Sequence, residues 1–336
     1  MEPSLATADP AHALGVAVSV YSSRETWDVL ERTLHCALQA VAPLGGVVDV
    51  VINGNDALAQ RAAAGVRARS GSFPQGTHCR VWTVALGDKA HAWNQYLHHI
   101  AGPAALYVFV DGYARLATSA LNDLVRELQG RPEALACIGL PTSGWNAPAL
   151  AARLRAEGGL HGNLYALTPA AVRQLHALGY RLPLGIYRTD STLGAALAFG
   201  LGLFPREWLP RRRLALSEGA RWEVSSLRWW HPADWRVHLK RVMRQGQGSL
   251  ENAAVKDRYA VLGQPFESLP STVLELVQGW MQRNPEQAGQ MLRRSWRARV
   301  AWKRLQAPRD WRLAAEPPRM LVDTFPERTT AVAAAG

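Results

Sequence analysis

Short β-branched runs alternate along the first half of the chain with segments whose apolar residues recur every three or four positions. Val16-Ala17-Val18-Ser19-Val20-Tyr21 reads as a buried strand. Ser22 and Ser23 can cap the next segment, where Trp27, Leu30, Leu34 and Leu38 line one helical face until Pro43 and Gly45-Gly46 stop it. Val47 to Ile52 predicts a second strand, which ends in the polar loop Asn53-Gly54-Asn55-Asp56. A helix over Ala57 to Arg69, a turn through Gly71 and Pro74, and a third strand over Arg80 to Ala85 come next. Lys89 to His99 has helical spacing, and Ala105 to Val110 is a strongly apolar fourth strand running into Asp111. Strand and helix alternating through short connections specify an α/β domain with a mixed, mostly parallel sheet flanked by helices.

Beyond Ala134 the rhythm changes. Leu135 to Leu140 predicts a strand and Ala147 to Ala156 a helix. Gly158 to Leu167 reads as a glycine-led strand, and Thr168-Pro169 as a helix start. Another helix opens at Thr189-Asp190 and runs to Phe199. After Glu207 the chain is rich in Trp and Arg, with helices expected over Trp235 to Met243, Ser271 to Gln282 and Pro285 to Leu305. Pro308, Pro317, Pro318 and an alanine-rich end predict a mobile last stretch. No internal repeat is evident.

Composition narrows the class. Of 336 residues, 48% are hydrophobic and 19% charged, which suits a globular chain with a sizeable core. The net charge of +11 is concentrated late, in Arg211-Arg212-Arg213, from Arg236 to Arg244 and from Arg293 to Arg304. Such clusters attract nucleic acid, anionic lipid or phosphate-bearing substrates, or are simply a solvated face, and charge alone does not choose. Cys36, Cys79 and Cys137 lack any metal-like spacing and point to a reducing compartment. No signal-peptide pattern opens the chain and no segment approaches the roughly 18 uninterrupted apolar residues of a membrane span, so the cytoplasm is expected.

Ligands of open parallel sheets sit beyond the carboxyl ends of the strands. Three loops lie there: Tyr21 to Glu25, Asn53 to Asp56, and Asp111-Gly112-Tyr113. Gly54 lets backbone approach a ligand, and the Asn and Asp side chains beside it suit base or ribose hydroxyls, although a plain polar turn has the same composition. Asp111, an acid after an apolar strand and before a glycine, suits a phosphate- or metal-binding edge, with a turn cap as the alternative. The loop after the first strand contains no glycine, which counts against a dinucleotide-binding or related reductase or methyltransferase site.

These elements, in this order, resemble family-2 glycosyltransferases with a GT-A fold. The likeness runs from Val16 to Gly202. It is carried by Val18 to Tyr21, by Asn53-Gly54-Asn55-Asp56, by Gly87, Lys89 and Asn94, by the apolar strand into Asp111-Gly112-Tyr113, by His161-Gly162-Asn163-Leu164-Tyr165, and by Leu182-Pro183 leading to Asp190. The resemblance implies a catalytic domain over residues 15–230. It leaves a flexible N-terminus at 1–14, a basic helical extension at 231–306 and a mobile tail at 307–336. It implies hexosyl transfer from a nucleotide-sugar donor such as a UDP-sugar to a hydroxyl acceptor, in the synthesis of surface polysaccharide, glycolipid or glycan. Ser19, Tyr21, Asn53, Asn55, Asp56, Lys89, Asn94, Asp111 and Tyr113 are the implied donor-binding positions, and Asp190 the general base; Asp190 could equally cap its helix.

The departures are specific. Tyr113 stands where the family has a second acid, so a divalent cation (Mn or Mg) has fewer ligands. Asp111 either holds one metal or bonds ribose or sugar while Lys89 or a C-terminal arginine neutralises the diphosphate. A weakened, nucleotide-binding scaffold is the alternative that Tyr113 favours. Thr189 stands where the family has Glu beside the base, and a Gln-x-x-Arg-Trp motif is absent; Arg236, Arg241, Arg244 and Gln245 are the nearest substitutes. His161 and His231 are further candidate metal ligands. The basic helix carrying Trp296 and Val300 implies either docking on the catalytic domain or peripheral contact with an anionic membrane at its inner face. No nucleic-acid partner is expected.

Overall fold

The computed structural model describes residues 14–144, 146–225 and 232–325, with side chains except at 14 and 232–242. Among these residues nine strands form one sheet: β1 (Leu14–Ser22), β2 (Gly46–Asn53), β3 (Thr77–Val84), β4 (Ala104–Asp111), β5 (Arg115–Leu116), β6 (Ala136–Pro141), β7 (Tyr165–Leu167), β8 (Leu214–Glu223) and β9 (Arg319–Asp323). Their order across the sheet is β5-β8-β6-β7-β4-β1-β2-β3-β9. Pairings β1–β2, β1–β4, β2–β3 and β6–β8 are parallel, whereas β7 lies antiparallel to β4 and β6, and β9 antiparallel to β3. The expected mixed, mostly parallel α/β architecture is the one observed.

The helices are α1 (Trp27–Val41), α2 (Asp56–Arg69), α3 (Lys89–Gln95), α4 (Ala120–Gln129), α5 (Ala147–Glu157), α6 (Pro169–Ala177), α7 (Thr189–Ala198), α8 (Pro210–Arg213), α9 (Pro232–Lys256), α10 (Val273–Arg283), α11 (Pro285–Arg294) and α12 (Trp296–Leu305). β1, β2 and β4 are apolar on both faces because helices cover both. On one side, Val18, Val48, Val50, Val108 and Val110 pack with α1 and α2 residues such as Leu30, Leu34 and Ala62. On the other, Val51, Phe109 and Tyr165 join Leu193 and Leu197 of α7, together with Leu250 and Trp280 from the C-terminal helices. The helices after 231 therefore share a core with the first 230 residues.

Four local expectations are corrected. Gly158 to Leu164 is a loop and only Tyr165–Leu167 is strand: Gly158 and Gly159 take φ of 74° and 118°, outside the extended region. The helix expected over Pro285 to Leu305 breaks at Ser295, whose extended backbone lets its side chain accept from Ala298 N and cap α12. The helix expected over Trp235 to Met243 runs from Pro232 to Lys256. The tail is ordered through Phe325: β9 pairs with β3, Cys79 N donates to Thr324 Oγ1 (2.8 Å), and Phe325 stacks on His78 at 3.9 Å. The expectations for the first residues, for His231 and the Arg236 and Arg241 side chains, and for the alanine-rich end lie outside the described residues.

Candidate functional site

The strand ends meet at one edge of the sheet, and their loops are tied together by side chains that the resemblance assigns to a ligand. With its amide oriented so that both atoms are satisfied, Asn53 donates to Ser22 O (3.1 Å) and accepts from Asp88 N (3.2 Å), linking the ends of β1, β2 and β3. Asn55 caps α2 by accepting from Leu58 N and donates to Ser23 O at 2.9 Å. Gly54 holds φ at 64°, and a Cβ there would fall 2.3 Å from Gly87 Cα, so the loops after β2 and β3 touch backbone to backbone. Glu25 closes the first loop by accepting from Ser22 Oγ, Ser23 N and Arg24 N. Asp56 accepts from Thr83 Oγ1 at 3.3 Å and is otherwise exposed beside them.

Three of the implied donor-binding residues lie within the scaffold. Ser19 is fully buried in mid-strand and its hydroxyl donates to Val108 O. Tyr21 is buried among Phe109 and Tyr96. Asn94 spends its whole amide on one peptide unit, donating to Leu182 O and accepting from Leu182 N, each at 2.9 Å. None of the three offers its side chain to a ligand. For Ser19 and Asn94 the partners that a buried polar group needs come from Val108 O and the Leu182 peptide.

Lys89, Asp111, Tyr113 and Asp190 come together. Asp111 ends β4 and is nearly buried; Lys89 Nζ donates to its Oδ1, and Tyr113 Oη donates to its Oδ2 at 2.9 Å. Gly162 lies among them. Its N–H donates to Asp190 Oδ2 at 3.2 Å, while a Cβ on it would sit 3.1 Å from Lys89 Nζ and 3.5 Å from Asp111 Oδ2. The glycine thus leaves the middle of the cluster open. Burial pulls the Lys89 pKa down, but the Asp111 carboxylate, helped by Asp190 and Glu25, more than offsets it, so the ammonium stays charged above the ordinary lysine range.

The segment that delivers Asp190 is pinned at nearly every peptide. Asn94 holds Leu182, Asp88 Oδ2 accepts from Gly185 N (3.1 Å), and Gln247 donates to Gly185 O (3.0 Å). Leu184 exchanges backbone bonds with Ser271 and Val273, and Glu251 accepts from Tyr187 N and Arg188 N at 2.8 and 2.9 Å. Asp190 then lies in the first turn of α7, half-buried. Glu251 is fully buried; desolvation raises its pKa to about 7, with the two N–H donors and Gln247 opposing.

Sequence motifs do not reveal Arg309 and Trp311. Both pack on Gly185, where an added Cβ would lie 2.9 Å from Arg309 Nη1 and 3.2 Å from the Trp311 ring. Their only sequence signal is a cation and an aromatic two apart in a Pro-containing tail. His161 stacks on Trp222 (5.1 Å between centroids), and burial lowers its pKa, keeping the ring neutral.

This cluster offers a divalent cation one carboxylate whose oxygens are already engaged. A hard cation takes about six or more oxygen ligands, and beside a nucleotide one or two come from carboxylates and the rest from phosphate and water. Asp111 has one oxygen on an ammonium and the other on a phenol, and no group of three His, Cys, Asp or Glu among the described residues could hold a metal. No helix among those residues is long and apolar enough to cross a membrane.

No protein-family model and no curated protein matches the chain. Among solved structures it is similar to a mannosyltransferase, PcManGT from Pyrobaculum calidifontis, in complex with GDP-Man and Mn2+. Identity is 16% and the TM-score 0.53, covering 88% of this chain and 85% of that one. A more distant likeness is GalNAc-T7 with UDP, GalNAc and Mn2+, at 12% identity and a TM-score of 0.46, covering 82% of this chain and 55% of that one. The first of these likenesses, with the sheet order above, gives the chain the GT-A glycosyltransferase fold.

Proposed function

We propose that this protein is a glycosyltransferase that moves a hexosyl group from a nucleotide-sugar to a hydroxyl acceptor. The observation that carries this reading is the convergence of Lys89, Asp111 and Asp190 on Gly162, at the strand ends where such folds bind ligands. The nucleoside lies against the touching loops around Gly54 and Gly87, with the exposed Asp56 beside them. Lys89 and Arg309 neutralise the diphosphate. Asp190 accepts the acceptor hydroxyl's proton as its oxygen bonds the anomeric carbon and the bond from that carbon to the diphosphate oxygen breaks. Electrostatic stabilisation of the leaving group is the larger contribution, and proton transfer adds about 10²- to 10⁴-fold.

The second surface is basic. Arg293, Arg294, Arg299, Lys303 and Arg304 are exposed around Trp296, itself 51% exposed. This supports peripheral contact with anionic lipid on the cytoplasmic face, which would bring a lipid-linked acceptor to the enzyme. Sedimentation with vesicles containing phosphatidylserine, lost on Trp296→Ala with Arg293→Glu, tests it.

The primary experiment is a panel of UDP- and GDP-sugars, read by nucleotide binding and by release of nucleotide diphosphate in the presence of hydroxyl acceptors. Turnover of one donor, lost in Asp190→Asn, is the expected result. Binding without turnover of any donor would favour the scaffold reading that Tyr113 suggests; no binding of any nucleotide would overturn both.

A further inference from the structure

We propose that Lys89 is the resident counter-ion of the nucleotide diphosphate, taking the place of the divalent cation, so that this site binds and works on its donor without metal. The inference rests on the glycosyltransferase reading and deepens it.

The starting point is the occupancy of Asp111. A carboxylate at the end of an apolar strand is costly to bury unless it is paired. Here both oxygens are matched: Oδ1 by the Lys89 ammonium and Oδ2 by the Tyr113 hydroxyl at 2.9 Å. Tyr113 therefore does more than omit a ligand. A second acid at that position would add a charge for a cation to bridge, whereas the phenol donates a hydrogen bond into the very oxygen a metal would need. A divalent ion entering here would compete with an ammonium and a phenol for the carboxylate, and would draw its remaining ligands from phosphate and water. His161, next to Gly162, has its ring against Trp222.

Lys89 is also suited to the positive role. An ammonium has three donors and no acceptor. Asp111 takes one, leaving two for phosphate oxygens. The side chain is anchored at the start of α3, whose cap, Asp88, accepts from His91 N at 2.8 Å and holds Gly185 with its other oxygen. The side chain as a whole is 39% exposed. Asp111, Asp190 and Glu25 keep it protonated. Arg309, which acts on Asp88 from the Gly185 side, adds a second cation at the same edge. A fixed cation already facing the departing diphosphate needs no reorganisation during the reaction.

The test is calorimetry of UDP and GDP binding to the full chain in EDTA and in MnCl2, with Mn2+ electron paramagnetic resonance on the same samples. The wild type should bind one of the nucleotides with Kd values within about threefold in the two media, and the protein should take up no Mn2+ beyond that held by the same nucleotide alone. Lys89→Ala should lose at least tenfold in affinity in EDTA, and Lys89→Arg should keep most of it. Lys89→Ala with Tyr113→Asp should bind Mn2+ and regain nucleotide only in its presence. Wild-type binding that needs Mn2+, or a loss of free-ion signal with protein and nucleotide together beyond that caused by the same nucleotide alone, would overturn the inference and leave the glycosyltransferase reading standing. An unchanged Kd in a folded Lys89→Ala would overturn it too. Absence of nucleotide binding in every medium would overturn the reading beneath it.

Discussion

Asp190→Asn is the substitution that isolates chemistry from structure. The carboxylate accepts one bond from Gly162 N at 3.2 Å, and an asparagine carbonyl oxygen can accept the same bond. What disappears is the proton acceptor and one negative charge in the first turn of α7. The charge is worth about 0.3–1 kcal/mol at a helix start, which in a chain of this size lowers Tm by no more than about 2–4 °C. Loss of the base costs about 10²- to 10⁴-fold in kcat, or roughly 2.7–5.5 kcal/mol of activation free energy. The catalytic effect thus exceeds the structural one several-fold, and a single preparation reports both. The assay is release of nucleotide diphosphate at saturating donor and acceptor, beside calorimetric Kd for the nucleotide and a thermal melt. A variant with kcat within tenfold of wild type would refute the assignment of Asp190 as base. A variant that loses nucleotide affinity in step with kcat would refute it as well, because that pattern belongs to a donor-binding group.

Other perturbations probe the scaffold. Glu251 has its pKa raised to about 7 by burial, so its ionisation is disfavoured by folding; stability should fall as pH rises from about 4.5 to about 7 and level off above, by roughly 3–4 kcal/mol at most. Thermal melts across that range should show the slope, and Glu251→Gln should flatten it while lowering kcat more than nucleotide affinity; an unaltered slope in the variant would contradict the assignment. Gly54→Ala would place a methyl 2.3 Å from Gly87 Cα on a backbone at positive φ, costing about 1–3 kcal/mol and weakening nucleotide binding, both measurable by denaturation and calorimetry. Arg80→Ala would leave the fully buried Asp49 with Trp82 as its remaining side-chain partner, and urea denaturation should show a loss of about 3–5 kcal/mol with the fold's circular dichroism retained.

Much of this arrangement is legible in the chain because parallel strands announce themselves. Apart from Ser19 and Asp49, Val16 to Tyr21, Val47 to Ile52 and Ala105 to Val110 are apolar on both faces, and the loops after them carry Asn53, Asp56 and Asp111. Less is legible where polarity reflects an edge. β8 contains Glu218, Gly219 and Arg221 where its register with β6 shifts, and β9 is short with mostly exposed residues, so neither has a strand-like pattern. Asn94 shows a different limit. An asparagine one turn into a helix suits a ligand or a peptide group equally, and only the position of Leu182, 88 residues away, decides. Gly162 is the converse: nothing in its neighbours predicts that three ionised side chains from β4, α3 and α7 close around it.

β9 has a bearing on local opening. A five-residue strand attached at one sheet edge has few partners to break, so it can detach at a free energy well below that of global unfolding. Its amides should exchange with deuterium earlier than those of β1, which is paired on both sides. Arg309 and Trp311 lie on the same stretch of chain, so each detachment would also loosen the Gly185 turn that leads to Asp190. Deuterium uptake at residues 319–323 and at 183–188 should therefore rise and fall together, and nucleotide held by Arg309 should slow both.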